Sequence, residues 1–394
     1  MSVLPATGCN PHVNAIDPPP IPTAQAWLGV YDGAYGPAID LSQAVPGYPP
    51  HPDMLARLRD AAGSLDYAGY GPIEGEDALR RSLGDHVAEL YGAPLSGSSI
   101  HITAGCNQAF FAASMAIAGP GDCVLMSNPC YFNHEATLAM QGIETAYFSC
   151  RAENGFQPGL KDIEDAITDR VKAVALVSPN NPTGAVYDAD RLQGIFDLCR
   201  NRGLRLILDE TYRDFLPAQV LAPHRLFDNP DWGRTLVQLY SFSKAYCIPG
   251  HRVGAVTTGP DLVAQIAKVM DNLQICAPRA AQAALAGAIS PLADWRKDNA
   301  AEIARRAAAF RTALAGAEDW PIRAIGAYFA YVEHPFANRM SASVARDLAQ
   351  NHGLLCLPGA FFGPDQERYL RFAFANADVS TIGLITDRLN SAIR

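Results

Sequence analysis

The strongest constraint on the fold is an alternation, from about Met54 onward, of helical patterns with short apolar runs that end in turn residues. This alternation is typical of βα units, in which helices connect the parallel strands of one sheet. The sequence therefore predicts an α/β fold. Seven strands are predicted, at Ser99–Thr103, Cys123–Ser127, Thr145–Ser149, Ala173–Val177, Arg205–Leu208, Thr235–Tyr240 and Val253–Thr257.

A change of pattern near residue 285 indicates a second domain. The 394-residue chain is longer than one hydrophobic core usually supports. A long helical region is predicted from Pro278 to Leu314, with a break at Pro291, and shorter elements follow it. We expect an N-terminal arm with part of the small domain at 1–50, a large domain at 51–285 and a small domain at 286–394. Proline and glycine in the arm predict extended rather than helical structure.

The composition excludes some classes of partner. A net charge of −9 without any long basic run argues against nucleic acid, whose phosphates are held by clustered lysine and arginine. No apolar stretch is long enough for a membrane span, and the N-terminus lacks a secretory pattern, so we expect a cytoplasmic protein. Nine cysteines without a C-x-x-C pair indicate reduced core thiols and no metal site.

Lys244 is the first candidate for chemistry. In Leu239-Tyr-Ser-Phe-Ser-Lys-Ala-Tyr246 it follows a predicted buried strand and is flanked by Ser241 and Ser243. Desolvation at a strand end lowers the pKa of a lysine and frees its amine to form a Schiff base. The serine hydroxyls are suited to binding a phosphate or to holding the lysine. A lysine in a surface loop explains the segment equally well.

Two other predicted strands end in polar residues. Val174–Gly184 breaks abruptly into a turn that contains Asn181, and ligands of open α/β sheets bind at such carboxyl ends of strands. Leu206–Arg213 ends its apolar run at Asp209, where a carboxylate can pair with a protonated ring nitrogen. An ordinary turn and an aspartate that caps a loop are the simpler interpretations.

A glycine turn offers a candidate phosphate site. In Ile102–Phe110 a strand turns through Gly105 into a helix that begins near Cys106 and Asn107. The free N–H groups and the positive dipole end of a helix start bind anions. Such turns occur in most α/β proteins, so this segment by itself indicates little.

Together these segments resemble the pyridoxal 5′-phosphate (PLP) enzymes of fold type I, specifically the class I/II aminotransferases, over roughly Ile39 to the C-terminus. Seven elements match in order: Tyr70-Gly-Pro-Ile-Glu-Gly75, the phosphate turn, an aromatic residue after proline, Asn-Pro-Thr-Gly, Asp-x-x-Tyr, Ser-x-Ser-Lys, and an arginine eight residues beyond the lysine. The resemblance implies a large domain with a mostly parallel central sheet flanked by helices, a smaller α+β domain, and a homodimer.

The resemblance also implies a role for each residue. Lys244 would carry PLP and later shuttle a proton, and Asp209 would pair with the pyridine nitrogen. Arg371, in Arg368–Phe374, would bind the substrate α-carboxylate together with Asn181, although Arg368 is a nearby rival. The other implied cofactor contacts are Asn181 and Tyr212 at the 3′ oxygen, Tyr131 on the ring, Tyr70 from the partner subunit, and Gly105, Cys106, Asn107, Ser241, Ser243 and Arg252 at the phosphate.

The implied reaction is transfer of the amino group of a small α-amino acid to a 2-oxo acid. A β- or γ-eliminating lyase of the same fold would use the same residues and is the alternative. The family commonly has glycine where this chain has Ala44, whose methyl group would press on the substrate, restrict the arm or be tolerated by a small backbone shift. Four aromatic residues would line an apolar substrate pocket or belong instead to the core or to an interface: Phe361, Phe362, Tyr31 and Tyr35.

Overall fold

The computed structural model describes residues 8–220 and 222–393. Its helices are α1 Pro11–Asn14, α2 Pro20–Gln25, α3 Pro52–Ala62, α4 Asp77–Tyr91, α5 Cys106–Ile117, α6 Phe132–Met140, α7 Leu160–Ala166, α8 Ala189–Arg202, α9 Phe242–Ala245, α10 Pro260–Leu273, α11 Arg279–Ala286, α12 Ala293–Ala315, α13 Ser341–His352, α14 Val379–Gly383 and α15 Ile385–Ser391. Its strands are β1 Ile39–Asp40, β2 Ile100–Thr103, β3 Cys123–Asn128, β4 Glu144–Ser149, β5 Val171–Val177, β6 Arg205–Asp209, β7 Leu236–Ser241, β8 Gly254–Thr257, β9 Ile322–Gly326, β10 Phe329–Glu333, β11 Leu354–Leu355, β12 Leu357–Pro358 and β13 Tyr369–Phe372.

A seven-stranded sheet forms the centre of the larger part, in the order β2-β8-β7-β6-β5-β3-β4. Neighbouring strands from β7 to β4 are parallel, and β8 runs antiparallel to both β7 and β2. All seven predicted strands are present, with ends within two residues of the prediction. The predicted α/β fold with a mostly parallel sheet is confirmed.

Two hydrophobic clusters cover the two faces of this sheet. Leu206 and Leu208 of β6 pack into one cluster, and Ile207 between them packs into the other. Successive side chains of a strand point to opposite faces, so a strand covered on both faces is apolar throughout. This double burial explains why the strands are recognisable as continuous apolar runs. Seven of the nine cysteines are buried, as expected for core thiols.

A second sheet of four antiparallel strands has the order β12-β13-β10-β9 and packs with α12 and α13 around its own core. The chain between α11 and α12 is non-helical at 287–292, where the break at Pro291 was predicted. β1 from the N-terminal segment pairs in parallel with β11, so that Ile39 lies opposite Leu354. The N-terminal segment, which precedes the large sheet in the chain, is therefore paired with the C-terminal part of the chain, which follows that sheet.

The N-terminal segment corrects one prediction. Residues 11–30 were expected to be extended, but they form α1, α2 and a short 3₁₀ helix at Ala26–Val30. Pro11 and Pro20 each occupy the first turn of a helix, where the missing N–H costs no hydrogen bond and the fixed φ favours helical structure. Proline therefore begins these helices rather than preventing them.

The loop after β5 touches the small sheet directly. Gly184 has a φ of +76°, and a Cβ at this position would lie 2.5 Å from the carbonyl oxygen of Phe329 and would also collide with Gly326. Glycine is required both by the left-handed backbone and by the close approach.

Among the helices of the described residues, none is both long and apolar enough to cross a bilayer.

Candidate active site

A cavity of about 290 Å³ lies where the loops at the carboxyl ends of the large-sheet strands meet the segment after β1 and strand β13. Its wall contains twelve of the predicted site residues: Ala44, Cys106, Asn107, Tyr131, Asn181, Asp209, Tyr212, Ser241, Ser243, Lys244, Arg252 and Arg371. Gly105, another predicted site residue, directly precedes Cys106. Tyr70 is 79% exposed and lies outside the cavity. The chain thus brings into one space side chains that are far apart in the sequence.

Lys244 lies on α9, which begins directly after β7. The Ser241 hydroxyl accepts a hydrogen bond from the N–H of Ser243 at 3.3 Å and so caps this short helix. The Lys244 Nζ donates to the carbonyl oxygen of Ala44 at 2.5 Å. Burial, together with the positive charges of Arg252 and Arg371, lowers the pKa of Lys244 to about 8. The neutral, nucleophilic amine is therefore more accessible than in an ordinary lysine.

Asp209 is the last residue of β6 and is only 4% exposed. Its Oδ1 accepts the N–H of Thr211 at 2.9 Å, and its Oδ2 lies 3.3 Å from Nε2 of His134. Burial by itself would raise the pKa of Asp209, but His134 and Thr211 outweigh it and lower the pKa below its ordinary value. The Cys106 thiol donates to Oδ2 at 3.4 Å. Asp209 is therefore a buried, ionised carboxylate.

His134 on α6 is a site residue that the sequence analysis missed. Its ring stacks on Phe110, with centroids 3.9 Å apart and planes within 7°. Its Nε2 lies 3.3 Å from Oδ2 of Asp209, and of the neighbours of that carboxyl group it does most to lower the pKa. The histidine follows Tyr131 by three residues, but nothing in that spacing connects it with a strand end much later in the chain. Only the packing of α6 against α5 reveals the contact.

One end of the cavity is suited to an anion. Gly105, with a φ of +88°, precedes the twelve-residue helix α5, and a Cβ on it would collide with the guanidinium group of Arg252. Arg252 donates to the carbonyl oxygens of Pro249 at 2.9 Å and of Ala104 at 3.3 Å, neither of which balances its charge. The first N–H groups of α5 have no partner within the helix. Such a group of donors is suited to a phosphate-like anion.

Arg371 on β13 is only 1% exposed. It donates to Oδ1 of Asn181 at 3.1 Å and to the carbonyl oxygen of Ser42, and its Nε has no partner. Burial lowers the pKa of Arg371 to about 10, so it stays charged near neutral pH. No described acidic side chain forms an ion pair with it. A buried guanidinium group without a counterion is a natural site for a carboxylate.

The rival arginine lies elsewhere. Arg368 pairs with Glu333 at 2.9 Å, its side chain is 40% exposed, and it does not line the cavity.

The two tyrosines that were predicted to contact the cofactor within one subunit, Tyr131 and Tyr212, do line the cavity. The Tyr131 hydroxyl accepts a hydrogen bond from the side chain of Asn133 at 2.7 Å, and burial raises the pKa of Tyr131 to about 12. The ring of Tyr212 packs against that of Tyr328, with the ring centroids 5.3 Å apart.

The four aromatic residues considered for an apolar pocket do not line the cavity. Phe362 is buried in a core cluster with Phe132, and Phe361 packs against the same cluster. Tyr31 and Tyr35 interact within their own loop, where the Tyr35 N–H donates to the Tyr31 hydroxyl at 2.7 Å. Phe361 and Phe362 are therefore core residues, whereas Tyr35 is 41% exposed and neither tyrosine belongs to a core cluster. Five apolar residues that the sequence analysis did not name as site residues line the wall instead: Ile21, Val45, Phe132, Val177 and Pro249.

Nothing in the described residues resembles a metal centre. No group of three or more histidine, cysteine, aspartate or glutamate residues within them is arranged to hold a metal ion.

The lowered pKa of Lys244 predicts how its reactivity depends on pH. In protein freed of bound aldehyde, we expect borohydride trapping of a small aromatic aldehyde on Lys244 to rise about tenfold per pH unit up to pH 8 and then level off, following the neutral amine. Mass spectrometry of the labelled peptides measures this. Lys161 is the control within the same sample, because its hydrogen bond and charge contact with Asp165 raise its pKa, and its labelling should still increase near pH 10. The same pH profile at both lysines would contradict the assignment.

Comparison with known proteins identifies the family. The pattern of the family described as "Aminotransferase class I and II" matches residues 37–389. The chain is 27% identical to an aspartate aminotransferase of Sulfolobus acidocaldarius, over 64% of this chain and 63% of that protein, which is less than two thirds of the relative's length. It is 26% identical to an aromatic aminotransferase of Arabidopsis thaliana, over 90% and 89% of the two chains.

Solved structures agree on the fold. A double mutant of the Thermus thermophilus aspartate aminotransferase superposes with a TM-score of 0.88 over 98% of this chain and 99% of that one, at 22% identity. The likeness covers the large sheet, the small sheet and the N-terminal segment together. With the family match over most of its length, the chain belongs to the class I and II aminotransferase family.

Proposed function

We propose that this chain is a PLP-dependent aminotransferase that moves the amino group of a small α-amino acid to a 2-oxo acid. One observation carries the proposal. A lysine with a lowered pKa, an ionised carboxylate and a guanidinium group without a counterion face the same cavity. Buried charges without partners are costly in a folded chain, so such an arrangement indicates ligands that neutralise them.

The cavity residues match the functional groups of PLP. The phosphate is matched by Ser241, Ser243, Arg252 and the start of α5, where the lack of a Cβ on Gly105 lets the Arg252 guanidinium group approach. The pyridine nitrogen is matched by Asp209, and the aldehyde by Lys244. When bound, PLP supplies an electron-withdrawing ring that stabilises negative charge developing at the substrate Cα.

The residues of the chain have separate tasks in this proposal. Arg371 and Asn181 hold the substrate α-carboxylate, which replaces the hydrogen bond that now joins them. Lys244 would take the proton from the substrate Cα and deliver it to the carbon of the cofactor that keeps the amino group, a role for which a pKa near 8 is well suited. Asp209 remains ionised because His134 and the N–H of Thr211 stabilise its charge. Tyr131 and Tyr212 complete the wall.

Elimination has no observation in its favour. The relatives compared with this chain are named as aminotransferases, and the cavity residues serve either reaction. We therefore propose amino transfer alone.

We also propose the domain division 1–50, 51–285 and 286–394, which the two separate sheets and the break at 287–292 support. A cytoplasmic location is proposed from the nine unpaired cysteines, a usage typical of reducing compartments.

A homodimer is part of the proposal. Tyr70 is 79% exposed, and Ile275 is exposed too. Their segments are adjacent, because the N–H of Gly71 donates to the Cys276 sulfur at 3.4 Å. An exposed apolar patch of this kind favours contact with a second copy of the chain. We propose that Tyr70 reaches the cavity of the neighbouring subunit.

The proposed reaction predicts dependence on an amino acceptor. With PLP and an α-amino acid, 2-oxo acid should form catalytically only when a second 2-oxo acid is supplied, because otherwise the cofactor remains in its amine form. Chromatography of both oxo acids measures this. Lys244→Ala should lower the turnover by about 10²–10⁴-fold, whereas the exposed Lys268→Ala should not change it. Steady ammonia release without any acceptor would contradict amino transfer and favour a lyase.

Replacement of Arg371 tests the carboxylate site. Arg371→Lys keeps the charge but loses the planar pair of donors, so kcat/KM for the amino donor should fall about 10- to 100-fold. Arg368→Lys is the matched control on the same strand region and should change kcat/KM less than about threefold, because its surface pair with Glu333 contributes little. Steady-state kinetics of both variants measures the difference. A larger loss in the Arg368 variant would reverse the assignment.

Complementation between inactive variants tests the dimer. Lys244→Ala and Tyr70→Ala homodimers should both be impaired, but a random mixture should recover about a quarter of wild-type activity, because half of its dimers contain one intact site. Sedimentation should give twice the chain mass of 42.2 kDa. Mixed dimers that form without any recovery would contradict a role for Tyr70 in the neighbouring site.

A further inference from the structure

Tyr70 is proposed to act in the cavity of the neighbouring subunit, so its position on its own chain is important. It belongs to a stretch at 68–76 without helix or strand, between a short 3₁₀ helix at Leu65–Tyr67 and α4. Such a stretch has no regular backbone hydrogen bonds to fix its course, and Tyr70 itself is largely exposed. Its position therefore depends on contacts made by the residues on either side of it.

Arg279, the first residue of α11, contacts this stretch on both sides of Tyr70. Its Nη1 donates to the carbonyl oxygen of Gly69 at 3.0 Å, and its guanidinium group lies 5.5 Å from the centre of the Tyr67 ring. On the other side, its Nε donates to Oε1 of Glu76 at 2.6 Å. A planar guanidinium group with five donors makes such a bridge, which a single ammonium group does not.

The guanidinium group also lies against the backbone of the stretch. A Cβ on Gly71 would be 2.6 Å from Nε of Arg279, so the absence of a side chain there lets the arginine approach. The side chains of Arg279 and Glu76 are each only 17% exposed, and water therefore screens their charges less than those of an open surface pair. The arginine thus packs along the stretch as well as bonding to it.

The helix that carries Arg279 is anchored to the core. Gln282, about one turn further along α11, is fully buried, and its Oε1 accepts the N–H of Glu76 at 2.8 Å. Its Nε2 donates to the carbonyl oxygen of Ala277 at 2.9 Å. Leu285 of the same helix belongs to the large hydrophobic cluster on one face of the central sheet. The arginine therefore extends from a helix whose place is fixed by packing.

We propose that Arg279 is a positioning residue, which holds Tyr70 in the place from which it reaches the neighbouring cavity. Contacts before and after Tyr70 restrict the backbone on both sides, so less conformational entropy is lost when Tyr70 enters the other subunit. An arginine that acts in this way serves the site of the neighbour and not the site of its own chain. This inference rests on the proposed dimer and on the proposed role of Tyr70.

Complementation between variants tests the inference on the PLP-bound protein. Arg279→Ala should lower kcat/KM for the amino donor by on the order of tenfold or more, because a displaced group at a site is costly. In a random mixture with Lys244→Ala, activity should recover to about a quarter of wild type, since half of the dimers contain one site with an intact lysine and an intact neighbour. In a mixture with Tyr70→Ala nothing should be recovered, because neither site of the mixed dimer receives a correctly held Tyr70.

Affinity for PLP gives a readout that is independent of turnover. Tyr70 is proposed to contact the cofactor, so Arg279→Ala and Tyr70→Ala should each raise the dissociation constant of PLP in equilibrium dialysis. The double variant should bind PLP no more weakly than Tyr70→Ala alone, since Arg279 then has no tyrosine to hold. Arg202→Ala is the matched control, because it removes a surface pair with Glu164 and should change neither affinity nor activity. Additive losses in the double variant would show that Arg279 does not act through Tyr70.

The outcomes separate this inference from the proposals on which it rests. Unchanged activity of Arg279→Ala, recovery with Tyr70→Ala, or mixed dimers with Lys244→Ala that recover nothing would each overturn the role of Arg279. If Lys244→Ala and Tyr70→Ala do not complement each other, the role of Tyr70 is wrong and that of Arg279 with it, whereas amino transfer is unaffected. Sedimentation shows whether each variant dimerises. If Arg279→Ala does not, Arg279→Lys, which keeps the charge but loses the planar fork, takes its place and must give the same pattern.

Discussion

The buried guanidinium group of Arg371 is the contact on which the geometry of the site depends. It belongs to the small sheet, and its hydrogen bonds reach Asn181 in the loop after β5 and Ser42 in the segment after β1. Three parts of the chain therefore meet at one side chain. A charge buried without a counterion is unfavourable, and its neutral partners offset only part of the cost. The folded chain tolerates this arrangement, and in the proposed function a bound carboxylate relieves it.

The same loop also brings the two sheets together by shape. The left-handed backbone at Gly184 leaves no room for a side chain against the β9–β10 hairpin. This close approach keeps Asn181, three residues earlier, within hydrogen-bonding distance of Arg371. Electrostatics at the arginine and steric fit at the glycine thus specify one relative position of the loop and β13. A cavity built across this junction responds to changes on either side of it.

Burial favours the uncharged form of both Lys244 and Asp209, but their neighbours lead to opposite outcomes. At Lys244 burial and two neighbouring cations lower the pKa, which makes the free amine accessible. At Asp209 burial would favour the neutral acid, but His134 and the N–H of Thr211 keep the pKa low and the carboxylate ionised. The contrast comes from the neighbours and not from the depth of burial. A lysine with a lowered pKa and a carboxylate that keeps its charge can therefore lie in one cavity.

The sequence predicted the large sheet and most of the site because both depend on local patterns. Strands buried on both faces are continuous apolar runs, and Asp209 and Lys244 directly follow such runs. The contacts that escaped prediction depend on packing between distant segments. His134 reaches Asp209 only because α6 packs against α5, and Ile21 reaches the cavity only because α2, a helix begun by proline, lies against α6. No spacing in the sequence encodes either approach.

Ala44 shows how the structure decides between interpretations that the sequence left open. Its backbone is outside the left-handed region, so the methyl group causes no strain in the arm and needs no backbone shift to be tolerated. Its carbonyl oxygen accepts the hydrogen bond of Lys244, a contact that glycine would make equally well. What alanine adds is a methyl group that packs against the core of the small sheet. The substitution therefore adds an apolar contact between the N-terminal segment and the small sheet without straining the backbone.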